Sequence, residues 1–128
     1  MTLPSSTYRP IVLVVEDEPL QRIMAVDLIQ EAGFIAVEAR DAAEAVRILE
    51  KRTDIRLVFA DLDVPGSADA LKLAALIRDR WPPIHIILTS GRYKRTDVSL
   101  PADTSFFTKP YPHDAVVREM RRMTAYTI

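Results

Sequence analysis

The feature of this sequence that most restricts its fold is an alternation between short apolar runs and segments with helical periodicity. Runs that are predominantly apolar are typical of strands buried on both faces, as in a parallel sheet. Five such runs are present, and the last is weaker than the others: Ile11–Val15, Phe34–Val37, Leu57–Ala60, Ile84–Leu88 and Phe106–Phe107. The pattern therefore predicts five buried strands separated by helices.

Apolar residues spaced three or four positions apart predict the helices. The predicted apolar stripes are Leu20, Met24 and Leu28; Ala42, Ala45, Val46 and Leu49; Ala70, Leu73, Ala74, Ile77 and Trp81; and Val116, Met120 and Met123. Gly33 is placed to cap the end of the first helix, and Pro82 stops the third. Pro112 can open the last helix in its first turn.

Short connections between alternating strands and helices allow few topologies. Right-handed crossovers give an α/β fold, a doubly wound five-stranded parallel sheet with helices on both faces. The default order for five strands is the flavodoxin-like order 2-1-3-4-5. In that order a ligand crevice lies at the carboxyl ends of strands 1 and 3, where the winding direction reverses.

Polar side chains follow four of the predicted strands at this edge of the sheet. They are Glu16 and Asp17 after the first strand, Asp61 and Asp63 after the third, Thr89 after the fourth and Lys109 after the fifth. Neighbouring carboxylates repel one another, and a proton or a hard cation such as Mg²⁺ relieves the repulsion. A lysine and a hydroxyl suit the oxygens of a phosphoryl group. The set therefore predicts phosphoryl chemistry on an aspartate, assisted by Mg²⁺.

Composition restricts the class of protein further. A chain of 128 residues, 48% of them hydrophobic, fits one domain, which we place at residues 10–128 after a disordered lead-in of residues 1–9. The absence of cysteine excludes disulfides and thiolate catalysis, and a net charge of −1 argues against direct nucleic acid binding. No signal peptide or membrane-length apolar run is visible, so we expect a cytoplasmic protein without membrane contact.

Four motifs in this chain resemble those of the receiver domains of two-component response regulators. The motifs are Val14–Pro19, Asp61–Gly66, Leu88–Gly91 and Phe106–Pro110, and the resemblance covers residues 10–124. It implies a domain that accepts a phosphoryl group from a phosphohistidine on a sensor histidine kinase or histidine phosphotransfer protein. Such a domain is a signalling switch rather than an enzyme, since it catalyses only its own phosphoryl transfer and the slow hydrolysis of its aspartyl phosphate. The downstream protein is not identified by the sequence, and a homodimer is left open.

The resemblance implies a role for each acidic residue of the set. Asp61 is the phosphoacceptor. Asp17 holds Mg²⁺ directly and Glu16 holds it through water, while Asp61 and the backbone carbonyl of Asp63 complete the protein's share of the metal ligands.

The remaining matching residues are implied to sense the phosphoryl group. Thr89 and Lys109 bind its oxygens, and Phe106 is the switch aromatic that moves inward when Thr89 moves. The peptide bond between Lys109 and Pro110 is typically cis in this family.

The chain also departs from the family pattern. Ala70 stands where most relatives have glycine, and the loop of residues 66–68 is slightly longer than usual. The segment of residues 91–104 is polar, so we expect its helix to be short or poorly ordered. Phe106 lacks the hydroxyl of the more common tyrosine. These departures concern the output of the switch and leave the phosphoacceptor itself unaffected.

Some features of the sequence are also compatible with other functions. The Asp61-Leu62-Asp63 motif is also found in haloacid-dehalogenase-type phosphatases, but those place it on the first strand. A flavin-binding module is disfavoured by the acidic, glycine-free loop after the first strand. A phosphorylation-independent module would normally lose Asp61, Asp17 or Lys109, and all three are present. His85 is interpreted as a packed core residue, and His113 as an ordinary residue at a helix start rather than a phosphocarrier.

Overall fold

The computed structural model describes residues 8–63 and 67–126. Within these residues, strands and α-helices alternate except between the last two strands, and each predicted strand lies where the apolar run indicated, most of them with shifted boundaries. The strands are β1 (Ile11–Val15), β2 (Ile35–Ala39), β3 (Ile55–Asp61), β4 (His85–Ser90) and β5 (Thr104–Thr108). The α-helices are α1 (Pro19–Glu31), α2 (Ala42–Lys51), α3 (Ser67–Arg80) and α4 (His113–Thr124).

All five strands are parallel and form one sheet in the order β2-β1-β3-β4-β5. The doubly wound topology predicted from the sequence is therefore confirmed. The reversal of winding places the carboxyl ends of β1 and β3 side by side, with Val15 in register with Ala60 and Asp61 in register with Thr89. The end of β4 thus joins β1 and β3 at one edge of the sheet.

The sheet separates two apolar cores. Helices α2 and α3 cover one face, and α1 and α4 cover the other. The side chains of the inner strand β1 alternate between the two cores, since Leu13 packs in the first core and Val12 and Val14 in the second, all three fully buried. Burial of each such side chain contributes about 1.5–3 kcal/mol relative to leaving it in water. The two cores together fix the position of the strand ends.

The predicted apolar face of α1 is wrong. Leu20 and Met24 are 63% and 58% exposed, and only Leu28 of the predicted stripe is buried. The buried face runs through Ala25, Leu28, Ile29 and the capping residue Ala32. Both sets of residues have helical spacing, and it is the second set that packs in the core beside Phe34. The other three stripes face the cores as predicted, although Trp81 lies just beyond α3 and is only half-buried.

Local signals define the ends of α1 and the start of α4. The carboxylate of Glu18 accepts hydrogen bonds from the backbone N–H groups of Leu20 and Gln21, which have no partner within the helix. Gly33 follows the C-cap Ala32 with φ 94°, a conformation that favours glycine, and this confirms its predicted role. Pro112 is the N-cap of α4, directly before the helix.

The segment between β4 and β5 contains no α-helix among the described residues, only a turn of 3-10 helix at Arg95–Asp97. This agrees with the expectation of a short helix there. Tyr93, Val98 and Leu100 pack against the core covered by α2 and α3, while the intervening side chains are exposed. The chain is therefore irregular here and is attached to the core by these three side chains. We call it the β4–β5 segment (residues 91–103).

The predicted lead-in of residues 1–9 lies mostly outside the described residues. Tyr8 and Arg9, which are described, contact the domain: the Tyr8 hydroxyl lies 2.6 Å from Arg56 Nη1, and Arg9 Nε donates to the carbonyl of Gly33 at 3.1 Å. The boundary at residue 10 stays a prediction. None of the helices in residues 8–63 and 67–126 is long and apolar enough to cross a membrane.

Candidate functional site

All but one of the polar residues predicted to meet at the carboxyl edge of the sheet lie around Asp61. Asp61 is the last residue of β3 and is only 5% exposed. Glu16, Thr89 and Lys109 line a small cavity of about 30 Å³ beside it, and Phe59 and Tyr111 form its apolar wall. The strand ends thus place a buried carboxylate beside one other carboxylate, one cation and one hydroxyl.

Glu16 and Asp61 form a buried pair of carboxyl groups. Glu16 is 6% exposed, and its burial, followed by a hydrogen bond with Asp61, raises the pKa of Glu16 from the usual 4.5 to about 8. The backbone N–H of Glu18 donates to Glu16 Oε2 at 3.0 Å and opposes this rise. Two carboxyl groups in this position hold either a proton or a cation between them.

Lys109 supplies the positive charge of the crevice. Its Nζ donates to Asp61 Oδ2 at 2.7 Å and to Gln21 Oε1 at 2.9 Å, and lies 3.4 Å from Asp63 Oδ2. Burial lowers the pKa of Lys109, but the hydrogen bond to Asp61 and the nearby carboxylates outweigh it, so that the pKa is raised overall. Lys109 is therefore a fixed cation within reach of any group attached to Asp61.

Asp63 contributes more than the backbone carbonyl predicted from the sequence. Its carboxylate accepts hydrogen bonds from Ser90 Oγ at 2.5 Å, Gly91 N at 2.5 Å and Arg92 N at 3.1 Å. Burial alone would raise the pKa of Asp63. The hydrogen bonds and the charge of Lys109 lower it by more than burial raises it, so the pKa of Asp63 lies below its usual value. Sequence reasoning missed this role because the bonds join residues about 28 positions apart.

Thr89 and Phe106, the two residues of the predicted switch, lie on neighbouring strands, β4 and β5. Thr89 is 1% exposed and faces the cavity beside Asp61. Phe106 is half-buried on β5, in register with Leu88, and packs on the core covered by α2 and α3. The peptide bond between Lys109 and Pro110 is cis.

Asp17 is the one predicted polar site residue that does not contact the crevice. It is exposed at the end of β1, and no hydrogen bond or ion pair joins it to the residues of the crevice. Across the described ranges 8–63 and 67–126, no three acidic or histidine side chains converge as a preformed metal cage. The donor set nevertheless fits Mg²⁺, which is commonly held by one or two carboxylates with waters and phosphate oxygens completing its shell.

The match to a family model decides the family. The model described as the response regulator receiver domain matches residues 12–121. The chain belongs to this family. Receiver domains of two-component systems are signalling phosphoacceptors rather than classical enzymes, which speaks against the phosphatase alternative.

Relatives of this receiver domain agree with the match. The aerobic respiration control protein ArcA of Escherichia coli is 31% identical over 113 residues, which are 85% of this chain and 46% of ArcA. The response regulator TrrA of Thermotoga maritima, solved in complex with Mg²⁺ and BeF, is 28% identical with a TM-score of 0.77, and the match covers 89% of this chain and 98% of TrrA. The chain thus spans about half the length of the curated relative.

A second solved structure resembles the receiver domain in fold. It contains the receiver domain of Ssk1 from Saccharomyces cerevisiae, crystallised with the histidine phosphotransfer protein Ypd1. The identity is 19% and the TM-score is 0.75, with 94% of this chain and 93% of that chain covered.

The interpretation of His85 as a core residue is wrong. His85 begins β4 and is only half-buried, at the amino edge of the sheet opposite Asp61. Burial and the nearby guanidinium groups, chiefly that of Arg56, lower its pKa. The partial exposure of His85 was not evident from the apolar run of β4, because the first residue of a buried strand lies at the edge of the core. His113 is exposed at the start of α4, as expected for a residue in a helix start.

Proposed function

We propose that this receiver domain accepts a phosphoryl group on Asp61, with Mg²⁺, from a phosphohistidine on a sensor histidine kinase or histidine phosphotransfer protein. The observation that carries the proposal is the buried Asp61 carboxylate with Lys109 Nζ 2.7 Å from its Oδ2 and with Glu16 beside it. A solvated loop aspartate would have none of these neighbours. The complex of Ypd1 with the Ssk1 receiver domain supports the class of donor.

The reaction would be an in-line displacement at phosphorus. An Asp61 oxygen forms a bond to phosphorus, the P–N bond to the donor histidine breaks, and its electron pair remains on the imidazole nitrogen, which takes up a proton. Lys109 would pair with a phosphoryl oxygen, and Thr89 would donate a hydrogen bond to another. Charge neutralisation by such groups is the main contribution of a protein to phosphoryl transfer.

Mg²⁺, when bound, would neutralise charge on the phosphoryl oxygens. Asp17 and Asp61 would hold it directly, Glu16 through water, and the backbone carbonyl of Asp63 would add an uncharged oxygen. This assignment relies on the donor chemistry of the crevice and on the solved TrrA complex with Mg²⁺ and BeF. The exposed Asp17 carboxylate has no competing partner among the described residues, so it would be available to the ion.

An open groove beside the crevice would admit the donor histidine. It has a volume of about 470 Å³ and is lined by Gln21, Met24, Lys109, Tyr111 and His113, among others. Lys109 belongs to both the groove and the crevice. A donor imidazole in the groove would therefore approach Asp61 from the side on which Lys109 already stands.

Phosphorylation would shift the domain between two packings. The phosphoryl group adds close to two negative charges at Asp61. Thr89 and Lys109 would be drawn toward it, and Phe106 would fill the space that Thr89 leaves. The altered surface would be formed by β4, β5 and the segments next to them, and it would bind a downstream protein in the cytoplasm rather than nucleic acid.

Covalent labelling tests this proposal. Wild-type protein incubated with acetyl phosphate and Mg²⁺ should gain the mass of one phosphoryl group in intact mass spectrometry. The Asp61→Asn variant should gain none. The matched control Asp79→Asn, which changes an exposed aspartate on α3, should be labelled like the wild type. Equal labelling of the wild type and Asp61→Asn would refute the proposal.

A further inference from the structure

The carboxylate of Asp63 joins the loop of the phosphoacceptor to the β4–β5 segment. Three donors from consecutive residues converge on it: the Ser90 hydroxyl at 2.5 Å, the Gly91 amide at 2.5 Å and the Arg92 amide at 3.1 Å. Hydrogen bonds to an ionised acceptor are among the strongest in proteins. One side chain therefore fixes the point at which the chain leaves β4.

Gly91 shows how closely the two loops approach. A Cβ atom at this position would lie 3.3 Å from Asp63 Oδ2 and 3.5 Å from the Cβ of Lys109. Any larger residue would push against the carboxylate that Gly91 binds. The glycine thus permits the contact between the Asp63 side chain and the segment.

The β4–β5 segment has few other attachments near its start. Its only regular structure among the described residues is the 3-10 turn, where Asp97 Oδ2 accepts from Lys94 N at 2.8 Å. Arg92, Lys94 and Arg95 are exposed. The Ser90 hydroxyl, which donates to Asp63, also accepts a hydrogen bond from Tyr93 N at 2.7 Å. Asp63 is thus connected through Ser90 to Tyr93 as well.

Asp63 is connected to the phosphoacceptor as well. Its backbone N–H donates to Asp61 Oδ1 at 3.0 Å, and its carboxylate shares Lys109 with Asp61, with Nζ distances of 3.4 Å and 2.7 Å. A change in the charge or position of the Asp61 carboxylate thus alters two interactions of Asp63: the hydrogen bond of its backbone N–H and the ion pair of its carboxylate with Lys109.

We propose that the Asp63 side chain is a positioning residue that couples the phosphorylation state of Asp61 to the conformation of the β4–β5 segment. This inference rests on the proposed function of Asp61. It adds a second route, through Asp63, Ser90 and Gly91, to the route through Thr89 and Phe106. In this chain the route ends on the irregular β4–β5 segment. When the hydrogen bonds to Asp63 are lost, this segment can move without the unfolding of a helix.

Amide hydrogen exchange, resolved by residue with NMR, tests the coupling in the full chain. The variants are Asp63→Ala, the milder Asp63→Asn, and the matched control Asp97→Ala, which removes an aspartate cap from the same segment without touching Asp61. In the unliganded protein, Asp63→Ala should speed exchange of the Gly91 and Arg92 amides by about 10-fold or more, as expected for a lost hydrogen bond to a charged acceptor. Asp97→Ala should affect the Lys94 amide instead. Unchanged exchange at Gly91 and Arg92 would overturn the proposal.

The second comparison adds Mg²⁺ and beryllofluoride, with fluorine NMR reporting whether the mimic is bound. Wild type and Asp97→Ala should show the same change in exchange across residues 91–97 apart from Lys94, and Asp63→Ala or Asp63→Asn should show less than half of it when the proteins are compared at equal occupancy by the mimic. A full wild-type response in the Asp63 variants would refute the coupling alone. Loss of binding in both Asp63 variants would also overturn it, by making the side chain part of the phosphoryl site. A wild type that binds no mimic would refute the proposed function, and the coupling with it.

Discussion

Single residues in this domain gain their properties from neighbours that are distant in sequence. Asp61 and Asp63 are two positions apart, yet one faces Glu16 and the other caps the backbone of Gly91. The sequence predicted that Asp61 would meet other polar groups at the carboxyl edge of the sheet, because it directly follows a buried strand. It did not predict the partners of Asp63, since an aspartate in a loop has many possible donors and only the packed sheet selects among them.

Glu119 on α4 offers a prediction for the pH dependence of stability. The hydrogen bond from Arg122, at 2.7 Å between Nε and Oε1, outweighs burial and, with a further bond from Ser105, lowers the pKa of Glu119 from 4.5 to about 2. A carboxylate with a depressed pKa in the folded state stabilises the protein above its unfolded pKa, and this contribution is lost as the pH falls from about 4.5 to about 2.

The Glu119→Gln variant should therefore be less stable than wild type at pH 7, by about 1 kcal/mol, because Arg122 is largely exposed and solvent screens the pair. Urea denaturation at several pH values measures this. The difference between the two proteins should shrink toward pH 2. A difference that is constant over this range would show that the charge of Glu119 contributes nothing.

At the scale of elements, the sequence predicted the strands and three of four helix faces, and it failed on α1. The strands were predictable because a buried parallel strand requires an unbroken apolar run. Helix α1 contains two overlapping apolar stripes, and periodicity alone cannot choose between them. The choice depends on the shape of the sheet surface, where Phe34 is fully buried among the α1 residues.

Paired substitutions on α1 test which stripe holds the helix to the sheet. Ile29→Ala removes a fully buried side chain and should destabilise the domain by about 2–5 kcal/mol. Ile23→Ala, at a position that is 55% exposed, should change the stability by less than about 0.5 kcal/mol. Chemical denaturation compares the two variants. Equal losses of stability would contradict the packing described for α1.

At the scale of the whole molecule, the position of the crevice follows from the strand order. Reversal of winding between β1 and β3 brings Glu16 and Asp61 together, so the fold itself creates a site with two buried carboxyl groups. This part of the site could be predicted from the sequence, because the topology of alternating strands and helices allows few alternatives. The exposed position of Asp17 could not, since it depends on the path of a short loop.

A cation that binds this crevice should stabilise the whole domain. Mg²⁺ at ten times its dissociation constant should raise the free energy of unfolding by about 1.4 kcal/mol, since it binds the folded chain alone. The Asp61→Asn variant, which removes one carboxylate of the pair, should gain much less, and Asp79→Asn should respond like wild type. Thermal unfolding with increasing Mg²⁺ concentration measures the effect. The same stabilisation in Asp61→Asn would place the ion elsewhere.

The central claim is that Asp61 is the residue that receives the phosphoryl group, and mapping the modified residue tests it most directly. Wild-type protein is incubated with Mg²⁺ and acetyl phosphate, the acyl phosphate is reduced with borohydride, and the digested peptides are sequenced by mass spectrometry. Reduction converts a phosphorylated aspartate to homoserine. We predict homoserine at position 61 and at no other aspartate. Homoserine at Asp17 or Asp63, or at none of the aspartates, would contradict the account.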